Sequence, residues 1–339
     1  MDSKMQKISA KNITFEITNE CNLKCSACPM WQEAERKNLG KDAILGVLTS
    51  GILRHPLESV TLTGGEPFMH PEFNEIFKSL VLLKMKKQLR KIGISSNGYD
   101  TARILDFLKE NKDYARDISL FISLDGFGSV HDKLRGRNNA FEKTMNTINA
   151  VNSEFEDVNL TLKFTICSEN ANEIPKVYDF CSKIGINLLF KLLQSSNSAH
   201  GLTPKYRNSS RQDFMKKMLD NKSREKIAKE LLRIIASEKN SGASIVNLDY
   251  LSALVDYLQG ELEIKSCKTP ENYLFIDCTG NIYPCLYQEP IANCLDKDWE
   301  KEFYKKRYAE MINNAEKGIC PKCLAYHGYL KYWNFKNGN

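Results

Sequence analysis

Asn12-Ile-Thr-Phe-Glu-Ile-Thr-Asn-Glu-Cys-Asn-Leu-Lys-Cys-Ser-Ala-Cys-Pro29 is the stretch from which the rest of the chain can be read. It begins with a β-type run, Asn12–Thr18, rich in β-branched and aromatic side chains. C-x3-C-x2-C then follows almost at once, at Cys21, Cys25 and Cys28. Five more β-type runs come after it, at Ser59–Thr63, Lys91–Ser96, Ile118–Leu124, Asn159–Ile166 and Asn187–Leu193. Helical periodicity fills the gaps at Asp42–Arg54, Pro71–Lys86, Thr101–Glu110, Ala140–Asn152 and Ile174–Ile184. Alternation in this order predicts an α/β fold with a parallel sheet and right-handed crossovers. Six strands fit a partial (β/α)6 barrel or a flat doubly wound sheet, and the pattern alone leaves both open.

Beyond residue 194 the character changes. Residues 195–210 are rich in Ser, Asn, Gly and Pro, and helical patterns follow at Arg211–Lys239 and Asn247–Gln259. A hairpin-like pair, Tyr273–Asp277 and Asn281–Cys285, leads to a helix over Asp298–Lys317 and a Cys-rich turn. The expected organisation is a core over 1–194, a helical bridge over 195–260 and a small C-terminal α+β domain over 261–339. A chain of 339 residues with 42% hydrophobic and 27% charged side chains has the profile of a globular protein. The composition excludes collagen-like and disordered classes. No apolar run approaches the ~20 residues of a membrane helix, and no secretory signal opens the chain. The net charge of +6 is mild. Its basic clusters (Lys84–Lys91, Lys216–Lys229, Lys305–Arg307) sit at helical spacing, as solvated faces do, which argues against a nucleic-acid track.

Eleven cysteines in a signal-less chain point to a reducing, cytoplasmic setting, where clustered thiols are metal ligands or catalytic groups more often than disulfides. Soft thiolates select iron–sulfur clusters or zinc. Cys21, Cys25 and Cys28 have no fourth Cys or His nearby, the next histidine being His55, whereas a closed zinc site takes four ligands. Three thiolates on one loop suit a [4Fe–4S] cluster with one iron left open. Cys267, Cys285, Cys320 and Cys323 provide a second set of four, with Gly280 in a G-x4-C pattern before Cys285. Spacing alone allows either a closed zinc site or a fully ligated [4Fe–4S] cluster there.

The C-x3-C-x2-C loop after the first strand resembles that of the radical S-adenosylmethionine (radical SAM) superfamily. Gly64-Gly65-Glu66-Pro67 looks like the family's GGEP motif, which implies that its backbone and Glu66 meet the amino group of SAM. Ser95-Ser96-Asn97-Gly98 resembles the segment that contacts the SAM ribose and carboxylate, giving Ser96 and Asn97 as candidates. By the same resemblance Ser123, Asp125 and Arg135 serve SAM or substrate; His131 reads more simply as an exposed loop histidine. The family's aromatic residue before the last cysteine is Ala27 here, and Trp31 is the candidate for the missing ring.

The C-terminal cysteines resemble the auxiliary-cluster half of SPASM and twitch domains, closest to the shorter twitch arrangement with one auxiliary cluster. The resemblance therefore implies two [4Fe–4S] clusters, SAM, and a flavodoxin- or ferredoxin-type electron donor. It also implies an enzyme that cleaves SAM reductively to a 5′-deoxyadenosyl radical and abstracts hydrogen from an unactivated C–H bond. A small polar metabolite such as an aminocyclitol or sugar is the expected substrate, the short segment before the first strand arguing against a peptide-leader domain. Ribosomal-peptide maturation is the alternative, and a non-catalytic metal-stabilised binding protein the remote one. Cys167, at the end of the fifth strand, is a candidate hydrogen donor; Cys181 and Cys278 read as packing thiols.

Overall fold

The computed structural model describes residues 8, 10–28, 30–193, 219–240, 244–262, 267–304 and 306–317. Six parallel strands form the body of the sheet: β1 (Asn12–Thr18), β2 (Leu57–Gly64), β3 (Leu89–Ser96), β4 (Ile118–Ser123), β5 (Asn159–Ile166) and β6 (Asn187–Leu192). They lie in the order of the sequence. A doubly wound sheet reverses its strand order at a switch point, and this sheet does not, so the barrel-like alternative is the one adopted. The strands alternate with α1 (Lys41–Leu48), α2 (Phe73–Met85), α3 (Thr101–Glu110), α4 (Ser129–Arg135), α5 (Ala140–Glu154) and α6 (Ile174–Ile184). Apolar residues of strands and helices merge in one core, with Phe15, Ile94, Ile122, Phe164 and Phe190 essentially without solvent contact.

The sheet does not end at β1. The strand β7 (Tyr273–Ile276) adds to it in parallel, placing Thr14 beside Phe275, and the antiparallel β8 (Asn281–Tyr283) and β9 (Ala292–Asn293) follow. Nine strands thus share one sheet among the described residues. The helices α7 (Asn221–Asn240) and α8 (Leu248–Gln259) pack on each other, and α7 also packs on α6. Glu238 of α7 is buried and accepts bonds from Tyr178 Oη at 2.8 Å and from the Ile245 amide at 3.0 Å. The Leu188 amide of β6 donates to the Ile245 carbonyl at 2.8 Å, so this pair is tied to the far edge of the sheet.

Three segments depart from the expected elements. Helical periodicity over Asp42–Arg54 gives a helix that stops at Leu48, because Thr49, Ser50 and Gly51 are weak helix formers and the Ile8 amide captures the Ile52 carbonyl at 2.8 Å. The helix expected over Asp298–Lys317 is two pieces, a 3-10 turn over Trp299–Tyr304 and α10 (Lys306–Glu316), α9 being the short turn Thr269–Asn272. Edge-to-face ring contacts tie the two pieces together: Trp299 meets Phe303 at 5.9 Å, and Phe303 meets Tyr308 at 5.4 Å. Finally, α4 arises where no helix is predicted. Seven residues are too few for periodicity to register, and this helix supports the site.

Candidate active site

The loop that carries Cys21, Cys25 and Cys28 has no regular structure and is held from both sides by backbone. On one side the Gly65 amide donates to the Thr18 carbonyl and the Glu66 amide to the Glu20 carbonyl, each at 2.8 Å. A Cβ on Gly64 would meet the Thr18 oxygen at 2.3 Å, and one on Gly65 would meet the Glu20 oxygen at 2.2 Å. These glycines are therefore required by the approach of the loop itself. On the other side, the amides of Lys24 and Ser26 donate to the carbonyls of Arg135 and Leu134 at the end of α4, at 3.2 and 3.0 Å. Gly136 ends that helix at φ +65°, and its Cβ would fall 1.9 Å from the Lys24 oxygen. Trp31 Nε1 donates to the Cys25 carbonyl at 3.2 Å, and Arg137 donates to the Asn22 carbonyl at 2.7 Å.

Glu66 is 1% exposed and does not line the cavity beside the cysteines. Its carboxylate accepts from Ser96 Oγ at 2.9 Å, from the Asn97 amide at 2.7 Å and from the Phe68 amide at 3.4 Å. Burial pushes its carboxyl up to about 7, against the pull of those same bonds toward the charged form. Pro67 starts the 3-10 turn Pro67–Met69 behind it. Asn97 extends the link to the cysteine loop, donating from Nδ2 to Asn22 Oδ1 at 2.8 Å and lying 3.8 Å from Cys21 Sγ. One carboxylate thus ties the end of β2 to the end of β3, and through Asn97 to the loop.

A cavity of about 260 Å³ opens between this loop and the carboxyl ends of the strands. Cys21, Cys25, Cys28 and Trp31 line it from the loop, and Gly64, Gly65, Ser96 and Asn97 from β2 and β3. Ser123, Asp125, Arg135 and Cys167 close it opposite. Of the sequence-predicted site residues described, Glu66, Pro67, Cys267 and Cys285 lie off this wall. Thr63, Ser95 and Thr165 belong to it unpredicted; their signal is the polar residue at every second position of the strand ends. Asp125 and Arg135 form an ion pair at 2.6 Å with both side chains nearly buried, and Asp125 also accepts from the Thr165 amide at 2.8 Å. Burial works against the Arg135 charge, but Asp125 and the nearby Cys25 hold the guanidinium protonated more firmly than usual. Its Nη1 lies 3.9 Å from Cys25 Sγ.

His131 is not an exposed loop residue. It is fully buried in α4 and accepts the Asp125 amide proton on Nδ1 at 3.1 Å, and burial lowers its pKa to about 3. Cys167 is 3% exposed among Leu134 and Leu193, and burial raises its thiol. Cys181 packs in the core, whereas Cys278 stands against Glu16 on the inner side of β1.

These donors fit an iron–sulfur cube. Burial pushes the free thiols of Cys21 up to about 11 and Cys28 up to about 12, so the cavity alone does not hold thiolates and bound iron has to supply the compensating charge. Among the described residues no three Cys, His, Asp or Glu side chains converge on a single ion. A cube takes one thiolate on each of three irons and asks for a wider spread. In the C-terminal set, Cys267 is fixed by its amide to the Ala315 carbonyl at 2.9 Å, and Gly280 turns the hairpin at φ +86°. Cys285 follows β8, while Cys320 and Cys323 lie outside the described residues.

The sequence model of the radical SAM superfamily matches residues 15–181, which span β1 through most of α6 and contain the whole wall except Leu193. Residues 15–181 are a radical SAM domain. The sporulation killing factor maturation protein SkfB of Bacillus subtilis is 28% identical over 173 residues, covering 51% of this chain and 40% of SkfB. The chain therefore aligns with less than half the length of that relative. The AdoMet-dependent heme synthase of Methanosarcina barkeri is 24% identical over 334 residues, covering 92% of this chain and 87% of that protein. Native anSMEcpe with bound AdoMet and Cp18Cys peptide shares the fold, with a TM-score of 0.63 at 19% identity over 93% of this chain and 86% of that one.

Two outcomes follow from this geometry. Gly136→Ala should lose most of the iron that the first cluster contributes on anaerobic reconstitution. Gly185→Ala, which pays a similar φ strain (+71°) but meets nothing within 4 Å, should keep it. For Glu66, a folded pKa near 7 against an ordinary 4.5 means that the unfolded chain releases this proton first. Its ionisation therefore destabilises the fold progressively between those values, by roughly 3 kcal/mol in all. Urea unfolding of the apoprotein from pH 5 to pH 8 should show wild type losing stability relative to Glu66→Gln, and a constant difference would contradict the shift.

Proposed function

We propose that this protein is a radical SAM enzyme that activates a C–H bond of a small-molecule substrate, with a second cluster in its C-terminal part. The observation that carries the reading is the cavity walled by three loop thiols on one side and the polar strand ends on the other. When bound, the cluster and SAM supply reductive cleavage of SAM and a 5′-deoxyadenosyl radical that takes hydrogen from the substrate. Cys21, Cys25 and Cys28 hold the cluster, and the backbone of Gly64 and Gly65 with Ser96 and Asn97 forms the wall for SAM. Trp31 offers a ring face to the adenine, while Ser123, Asp125 and Arg135 position SAM or substrate opposite. Leu23, Met30, Leu134 and Leu193 make the remaining walls apolar and keep water out. Cys167, kept as a neutral thiol by burial, has the form needed to donate a hydrogen atom. Cys267, Cys285, Cys320 and Cys323 hold the auxiliary [4Fe–4S] cluster, and a flavodoxin- or ferredoxin-type protein delivers the electron.

The small-molecule reading draws support from the heme synthase, which aligns along nearly the whole chain. Peptide maturation is the second reading, favoured by SkfB, whose match covers 51% of this chain. Identification of the product from candidates drawn from the neighbouring genes would choose between them.

Cys25→Ala should abolish 5′-deoxyadenosine formation with dithionite as reductant, since two thiolates do not hold a site-differentiated cube; SAM cleavage at the wild-type rate would refute the assignment. In the double variant Cys320→Ala/Cys323→Ala, 5′-deoxyadenosine should still form, with about four irons per chain instead of about eight. An unchanged iron count would remove the C-terminal cysteines from the ligand set.

A further inference from the structure

Asn170 stands in the 3-10 turn Ser168–Glu173, behind the wall of the cavity, and nothing in the preceding mechanism uses it. It is fully buried, and both ends of its side-chain amide are engaged. Nδ2 donates to the Thr165 carbonyl at 2.9 Å and to the Asp125 carbonyl at 3.1 Å, while Oδ1 accepts from the Cys167 amide at 2.8 Å. Cys167 Sγ accepts in return from the Asn170 backbone amide. Asp125, Thr165 and Cys167 all line the cavity, whereas Asn170 does not. Burying a primary amide is costly unless its polar atoms find partners, and here every partner is backbone of the wall. Capping the turn takes only the Oδ1 bond to Cys167. The two Nδ2 bonds do something else, because they join the end of β4 to the end of β5.

What that junction controls can be followed bond by bond. The Thr165 amide donates to one carboxylate oxygen of Asp125 at 2.8 Å, and the other oxygen pairs with Arg135 at 2.6 Å. With both carbonyls on one nitrogen, Asp125 and Thr165 are held at a fixed spacing, and the carboxylate between them is aimed at Arg135. The Asp125 amide is held independently by His131 Nδ1 at 3.1 Å. Arg135 Nη1 lies 3.9 Å from Cys25 Sγ, so the far end of this chain of contacts is a cluster cysteine. Asn170 is uncharged and leaves the balance of the ion pair untouched. The turn that carries it is braced from outside: Lys133 of α4 pairs with Glu169, Lys226 of α7 donates to Asn172, and α7 packs on the turn.

We propose that Asn170 is a positioning residue for SAM, acting through Asp125 to set where the Arg135 guanidinium stands on the wall opposite the glycines. The inference rests on the reading of this cavity as the SAM site and deepens it, naming the buried group that fixes its far side.

The test is anaerobic calorimetric titration of the reconstituted enzyme with SAM, without reductant so that nothing is cleaved. Asn170→Ala removes all the side-chain bonds and should weaken SAM about tenfold, at wild-type iron content. Asn170→Gln, which keeps the amide but sets it further out, should fall between Asn170→Ala and wild type. It also carries the comparison if the alanine variant does not load iron. A purely structural role gives the opposite split, a lower melting temperature with unchanged SAM affinity in the iron-loaded protein, and that result overturns the proposal. Asn172→Ala, at an exposed position of the same turn, should bind SAM as wild type does. An equal loss there would mean only a loosened turn and would overturn it too. In an Asp125→Ala background, Asn170→Ala should cost no more than about twofold further, whereas a second full loss would show that the two act independently. Wild-type enzyme that holds iron yet binds no SAM defeats the reading beneath, while loaded variants that bind SAM like wild type defeat this inference alone.

Discussion

The cysteine loop has one short turn of its own, the Cys28 amide donating to the Cys25 carbonyl at 3.2 Å, and the rest of its shape is imposed by two backbones pressed against it at positions where no Cβ fits. Gly64 and Gly65 let the end of β2 close on Thr18–Glu20, and Gly136 lets the end of α4 close on Lys24. Both contacts join segments far apart in sequence, so the loop takes its final form only when β2 and α4 are in place. A ligand set fixed by remote backbone is held in position before iron arrives, which is what a cluster site with one open position requires. The rest of the wall depends on the same contacts. Arg135, Leu134 and Trp31 are all placed by residues of the loop or by the helix end that braces it.

Much of this was legible in sequence because it rests on local rules. Strand periods placed β1 to β6 to within two residues at either end, and the glycines at the end of β2 read as close approach. What was not legible is the backbone these glycines also meet: they close on Thr18–Glu20, beside the SAM contact that the GGEP resemblance implies. The same holds for Glu66, whose carboxylate also accepts from Ser96, Asn97 and Phe68. Long-range pairing decides that, and no spacing reports it. The parallel addition of β7 to β1 was hidden for the same reason, since some 250 residues separate the partners and a four-residue strand carries no directional signal.

Charge at the mouth of the sheet is paired across the wall. Arg135 and Asp125 neutralise each other there, Asp125 also accepts from the Thr165 amide, and Arg135 Nη1 lies 3.9 Å from the sulfur of Cys25. The Asn97 side-chain amide lies 3.8 Å from the sulfur of Cys21 on the other side. On the proposed reading, a cube held by Cys21, Cys25 and Cys28 would be negative, so a guanidinium and an amide beside two of its sulfurs would favour its reduced, more negative state.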